Sequence, residues 1–400
     1  MNKLTLEDID VKGKRVLMRV DFNVPQNADG TVRDDTRIRA ALQSINYVRE
    51  RGGKLILMSH LGRPKKVKDD PAKYNLLKMD PIAQRLGELL EAPVKKMDDL
   101  VGPDVEAAVA AMQPGDVILL ENTRFNAGEE KNDPELSKQL ATLAEVYVSD
   151  AFGSNHRAHA STVGVTDYLD TSAAGFLVAK EIAYFSKVLS NPDRPLVAIL
   201  GGAKVADKIG VIDNLLNLVD TLIIGGGMAY TFLKAQGHEI GDSLLDKDGL
   251  DVAQKAMDKA KEKGIDLLLP TDVVAADRFD NDANRKIVPA TGIEPGWQGL
   301  DIGPQTIEAF CEVIRNAKMV VWNGPVGVFE MENFSKGTHT LAQVLADSPV
   351  TSIIGGGDTA AAVTQYGLED KMSHVSTGGG ASLEMLEGKE LPGLATLTDK

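Results

Sequence analysis

ILGGAK at Ile199–Lys204, IIGGGM at Ile223–Met228, IIGGGDT at Ile353–Thr359 and STGGGAS at Ser376–Ser382 follow one plan. Each closes a short strand with glycines and then opens a helical pattern. Glycine at the carboxyl end of a strand permits positive φ and lets backbone N–H groups come close to a ligand. A helix starting there aims its unbonded N–H groups at the same place, which suits phosphate. One such turn can serve chain geometry alone. Four of them, all beyond residue 198, point to a nucleotide above a parallel sheet. None reads G-x-x-x-x-G-K-[ST], so no Walker A loop is present. Gly355-x-Gly357-x-x-Ala360 fits the dinucleotide formula but lacks an acidic residue about twenty positions later.

Around these turns, apolar runs alternate with amphipathic segments. Strands are expected at 15–20, 54–58, 117–121 and 145–149, with helices at 36–51, 76–90 and 134–145. The second half repeats the alternation. Its strands are expected at 196–200, 221–224, 267–269, 319–322, 351–354 and 374–376, with helix starts near residues 203, 228, 249, 305, 335, 359 and 381. A helix over 171–189 serves as the connector. The expected fold is α/β, with two Rossmann-like three-layer domains, mainly parallel sheets and a cleft between them.

Size and composition agree with two domains: 400 residues, 43% hydrophobic and 26% charged, form an ordinary globular mix. The single cysteine, Cys311, rules out an internal disulfide framework and suits a reducing compartment. The first residues, MNKLTLEDIDVKGKR, show no secretory h-region, and no apolar run approaches the ~20 residues of a membrane span. A cytoplasmic protein without membrane partners is expected. The net charge of −14 is set against a skewed arginine distribution, eleven of fifteen lying at or before Arg157. With only 5% aromatic residues and no extended basic stripe, nucleic acid is not an expected partner.

The arginine-rich half places polar groups just after its strands: Asp21 and Asn23, His60 and Arg63, Arg124, and Arg157, with Arg37 opening a helix. Carboxyl ends of parallel strands share one rim of a sheet. The planar guanidinium suits carboxylate or phosphate. Surface ion pairing explains any one arginine. Several at matched strand ends, without an equal set of acids in those loops, favour a small polyanion. His156 and His159 show no zinc spacing. In the second half, Lys204 and Lys208 stand four apart, as on one face of a first helical turn. A cation pair at a helix N-terminus calls for an anion opposite it. Asp358 fits either a helix cap or a ligand of Mg²⁺, and Glu330, ending NGPVGVFE, fits either a ribose contact or a cap.

The chain resembles the phosphoglycerate kinase family over essentially its full length. The matching motifs are RVDFNVP (19–25), RIRAAL (37–42), SHLGRP (59–64), LLEN (119–122) with Arg124-Phe125, DAFG (150–153), HRAHAS (156–161), GGAKVADK (201–208), GGGMAYTF (225–232), WNGPVGVFE (322–330), GGGDTAAA (355–362) and STGGGASLE (376–384). Departures are slight: Thr123 replaces a usual valine or leucine, and 175–181 reads GFLVAKE rather than GFLMEKE.

The resemblance implies Mg²⁺-dependent transfer of the acyl phosphate of 1,3-bisphosphoglycerate to ADP, giving 3-phosphoglycerate and ATP. It implies that Asp21, Asn23, Arg37, His60, Arg63, Arg124 and Arg157 bind the acid substrate. The nucleotide falls to Gly201, Gly202, Lys204, Lys208, Gly226, Asn323, Pro325, Gly327, Glu330, Gly355, Gly356, Asp358 and Thr359, with Asp358 beside Mg²⁺. Arg37, Lys204, Gly378 and Gly379 surround the transferring group. Residues 1–170 would form the phosphoglycerate domain, and 171–385 the connector helix and nucleotide domain. Residues 386–400 would return to the first domain. A monomer that closes by hinge bending is the family's usual form.

Overall fold

The computed structural model describes residues 2–400. The chain divides into two compact units. Unit 1 comprises Met1–Ala183 and Glu390–Lys400, and unit 2 comprises Tyr184–Lys389.

Unit 1 holds β1 (Arg15–Val20), β2 (Lys54–Met58), β3 (Val94–Lys96), β4 (Val117–Leu119), β5 (Val146–Asp150) and β6 (Ser172–Ala174). They form a parallel sheet in the order β3-β4-β2-β1-β5-β6. The central strand β1 is apolar on both faces because helices cover both. Val16, Leu17, Met18 and Val20 are fully buried. Asp133 caps the helix Pro134–Thr142 by accepting from Leu136 N–H at 2.9 Å, with Pro134 at a first-turn position that needs no N–H.

Unit 2 holds β7 (Leu196–Leu200), β8 (Thr221–Ile224), β9 (Glu239–Ile240), β10 (Asp266–Leu268), β11 (Asp272–Ala276), β12 (Arg285–Pro289), β13 (Gly292–Ile293), β14 (Gln298–Ile302), β15 (Met319–Asn323), β16 (Thr351–Gly355) and β17 (His374–Val375). Its main sheet is also parallel, in the order β10-β8-β7-β15-β16-β17. The strand order reverses between β7 and β15. Gly201 and Gly324 therefore leave neighbouring strand ends, the usual ligand position of an open α/β sheet. The two-domain α/β expectation holds.

Several elements depart from expectation. A three-stranded antiparallel sheet, β12-β11-β14, and the short pair β13-β9 were not anticipated. The helix expected from residue 76 begins at Asp80, because Pro81 fits only a first turn; Pro71–Asn75 forms a separate short helix. Residues 172–174 of the expected connector are β6, and the helix runs from Phe176 to Ser190. The helix expected near Ala203 begins at Ile209, after a 3₁₀ turn over Ala206–Lys208. Fully buried Val205 and the bond from Ala206 N–H to Asp246 Oδ2, 2.9 Å, fix the intervening chain outside the helix. Lys204 and Lys208 thus do not share a helical first turn. No helix among the described residues is long and apolar enough to cross a membrane.

Candidate functional site

In unit 1, the groups after β1, β2 and β4 are joined by hydrogen bonds. Arg37, in the first turn of the helix Thr36–Glu50, donates through Nη1 to Asp21 Oδ1 and Oδ2 at 3.2 and 3.1 Å and to Asn23 C=O at 3.0 Å. Asn23 Oδ1 accepts from Gly62 N–H at 2.8 Å, and Gly62 C=O accepts from Arg124 Nη1 at 2.9 Å. The neighbouring Arg63 is exposed, as is Arg157 in the turn after β5, whose charge acts on Arg124. Acids are present after all. Asp21 holds Arg37, and Glu130 stands 3.7 Å from Arg124 and pairs with Lys65. The expectation of arginines without matching acids is corrected to that extent.

His60 is buried, and its pKa is held well below the usual histidine value. Burial is the main cause, followed by the charges of Arg19, Arg124 and Arg37. Arg19 Nη2 lies 3.0 Å from His60 Nδ1. A guanidinium has no acceptor, so Nδ1 accepts and the proton sits on Nε2 of a neutral ring. Arg19 itself is 1% exposed and donates from Nε to Ser161 Oγ at 2.9 Å. Ser161 Oγ in turn donates to Glu129 Oε1 at 2.6 Å, and Ser161 N–H to Glu129 Oε2 at 3.0 Å. Arg19 and Glu129 were not among the expected site residues. Arg19 lies inside a strand that reads as apolar, and its side chain is buried beneath the loops. A cation within RVLMRV was the available signal.

In unit 2, the glycine turns close first on protein. Gly201 N–H donates to Asn323 C=O at 2.9 Å, Gly202 N–H to Pro325 C=O at 3.2 Å and Gly226 N–H to Val326 C=O at 3.2 Å. A β-carbon on Gly201 would lie 2.1 Å from Pro325 O and 2.4 Å from Gly324 O. One on Gly327 would lie 2.1 Å from Asp301 Oδ1. These glycines let loops interlock, and the N–H groups of Gly201, Gly202 and Gly226 are bonded within the protein. Gly355 ends β16, and Gly356, at φ +84, caps the helix Gly357–Gln365. Gly379 has φ +51 and open space where a β-carbon would stand, while Gly378 N–H donates to Ser376 Oγ at 3.1 Å.

Lys208 binds into this loop junction. Its Nζ donates to Gly201 C=O at 2.6 Å and to Asn323 Oδ1 and C=O at 3.0 and 3.3 Å. Burial lowers its pKa to about 8, against the opposing pull of the Asp358 carboxylate. Asn323 Nδ2 is buried without a hydrogen-bond partner among the described residues. Thr359 is fully buried and accepts from Gly324 N–H at 2.7 Å, so it braces the loop. Lys204, Glu330 and Asp358 are exposed, Asp358 in the first turn of its helix. One exposed carboxylate suits Mg²⁺ when phosphates complete its shell. No group of three or more His, Cys, Asp or Glu poised to hold a metal by itself occurs among the described residues.

The model of the family described as phosphoglycerate kinase matches residues 6–389. Among solved structures, phosphoglycerate kinase from Coxiella burnetii is 42% identical, with 98% of each chain covered and a TM-score of 0.90. Phosphoglycerate kinase from Pyrococcus horikoshii OT3 is 33% identical, with 98% of each chain covered and a TM-score of 0.83.

Proposed function

The chain belongs to the phosphoglycerate kinase family, and from that premise we propose how its two units divide the work of phosphoryl transfer between 1,3-bisphosphoglycerate and ADP. Unit 1 binds the acid through Asp21, Asn23, Arg37, His60, Arg63, Arg124 and Arg157. The observation that carries this reading is the bonded set Arg37–Asn23–Gly62–Arg124 at the strand ends, beside the exposed guanidinium groups of Arg63 and Arg157. Unit 2 takes ADP or ATP at the loops after β7, β8, β15 and β16, where the charge of Lys208 and the unpaired donor Asn323 Nδ2 favour an anion.

The attacking atom is an ADP β-phosphate oxygen, already ionised. The bond it forms to phosphorus replaces the acyl P–O bond, and 3-phosphoglycerate leaves as a carboxylate. No proton moves, so neither a general base nor a covalent enzyme intermediate is required. The protein aligns the two oxygens in line with phosphorus and neutralises charge on the moving group. Arg37 and Lys204 serve the equatorial oxygens, aided by the Gly378–Gly379 turn. Asp358 would hold Mg²⁺, which when bound would neutralise phosphate charge. Hinge closure of the two units excludes water from the transfer. A cytoplasmic monomer fits this chemistry.

A coupled assay with ATP, Mg²⁺ and 3-phosphoglycerate, each omitted in turn, tests the reading. Turnover should require all three. ADP formation that ignores 3-phosphoglycerate refutes it.

A further inference from the structure

One side chain among the loop ends of unit 1 carries no charge yet joins most of them. Asn122, three residues beyond β4, is fully buried. Its Oδ1 accepts from Leu61 N–H and from Arg124 N–H, both at 3.1 Å. Its Nδ2 donates to Leu61 C=O at 2.8 Å and to Leu77 C=O at 2.9 Å. Two donors and two acceptor positions are the full capacity of a carboxamide, and all four are used. Asn122 meets both the N–H and the C=O of Leu61, as a neighbouring peptide does in a β-ladder.

The three segments it binds all bear on Gly62. Leu61 precedes Gly62 directly. Leu77 packs beneath it, its Cδ2 2.7 Å from where a β-carbon of Gly62 would stand. Arg124 reaches Gly62 C=O with its guanidinium, and Gly62 N–H is held by Asn23. Gly62, at φ +61, sits between His60 and Arg63. The backbone of Asn122 is itself anchored: its N–H donates to Glu121 Oε1 at 2.7 Å, and Glu121 Oε2 pairs with Lys96 at 2.7 Å. An apolar residue of equal size could fill the same volume. It could not fix the separation between the His60–Arg63 turn and Arg124.

We infer that Asn122 is a positioning residue for the acid substrate: its carboxamide sets the register of the His60–Arg63 turn against Arg124 without touching the ligand. This rests on the reading of unit 1 given above. Asn122→Asp is the informative variant, since it keeps the shape and both acceptor bonds while removing both donors. Leu61 and Leu77 carbonyls would then face a carboxylate. KM for 3-phosphoglycerate should rise roughly tenfold or more, the consequence of leaving buried acceptors unpaired beside the site. KM for ATP and kcat at saturation should stay within about twofold. A merely structural role lowers the active fraction, hence kcat, and leaves KM alone.

Arg124→Met run in parallel separates the two levels. Unchanged KM for 3-phosphoglycerate in Arg124→Met refutes the unit 1 reading itself. Raised KM there, with unchanged KM in folded Asn122→Asp, overturns only the positioning role. Should Asn122→Asp not fold, amide exchange on the wild-type enzyme decides. Leu61 and Arg124 N–H should exchange slowly and slow further with 3-phosphoglycerate, and fast exchange at both refutes the inference.

Discussion

Lys208 gives a prediction whose size comes from its surroundings. The ammonium is buried against three oxygens of Gly201 and Asn323, and burial brings its pKa to about 8. In the unfolded chain the same group titrates near 10.5. The unfolded state therefore holds more protons between those values, and stability rises with pH across that window. The burial costs roughly 3 kcal/mol below pH 8 and fades toward 10.5. Nucleotide affinity moves the other way, because an anionic ligand favours the charged lysine. At about pH 9.5 only about one enzyme molecule in thirty keeps the proton, so the apparent KM for MgATP should rise about 30-fold from its value near pH 7. Initial rates over varied MgATP at saturating 3-phosphoglycerate, from about pH 7 to 9.5, measure this. Lys208→Arg, whose guanidinium stays charged, should flatten the rise. Asp358→Asn should move it to lower pH, since that carboxylate helps retain the proton. A wild-type KM constant within twofold, or an unchanged rise in Lys208→Arg, would refute the reasoning.

Three further outcomes follow from named contacts. Arg37→Ala and Lys204→Ala should each lower kcat roughly 10²–10³-fold in steady state, and unchanged kcat for both rejects their assignment to the transferring group. Gly201→Ala forces a β-carbon onto Pro325 O and Gly324 O; a loss of about 1–3 kcal/mol is expected in denaturant melts, and wild-type stability would show that the loops separate freely. Arg19→Met and Glu129→Leu should each cost about 3–5 kcal/mol by stranding a buried charge. The double variant should cost less than their sum, whereas strict additivity would mean that Ser161 does not couple them.

The sequence made the inner strands of the parallel sheets legible because they are buried on both faces and read as continuous apolar runs, whereas the edge strands Val94–Lys96, half-exposed and rich in lysine, and Ser172–Ala174 were not expected. Arg15–Val20, Lys54–Met58 and Leu196–Leu200 lie where periodicity puts them. The antiparallel sheet did not show, since RKIVP alternates exposed and half-buried positions, and Gln298–Ile302 interleaves glycine and aspartate with apolar residues. Polar groups at strand ends were visible from their positions. What each touches depends on packing across loops far apart in sequence. Thr359 holds Gly324, and the Gly201 turn, which looks like a ligand cradle, also makes room for Pro325, as Gly327 does for Asp301. Lys204 and Lys208 were placed together on a helix by spacing alone, and buried Val205 between them undid it.

The last residues bear on the order in which the chain is built. Leu4 N–H donates to Thr398 C=O, Thr398 N–H donates to Ser172 C=O at 2.9 Å, and Lys400 pairs with Asp8. Glu390–Lys400 thus completes a unit whose other 183 residues are synthesised long before it. During translation, the edge by β6 must wait, lacking its final partner, until all of unit 2 has left the ribosome. Unit 2 is contiguous and can fold as it emerges, so it has the opportunity to finish first although it is made second.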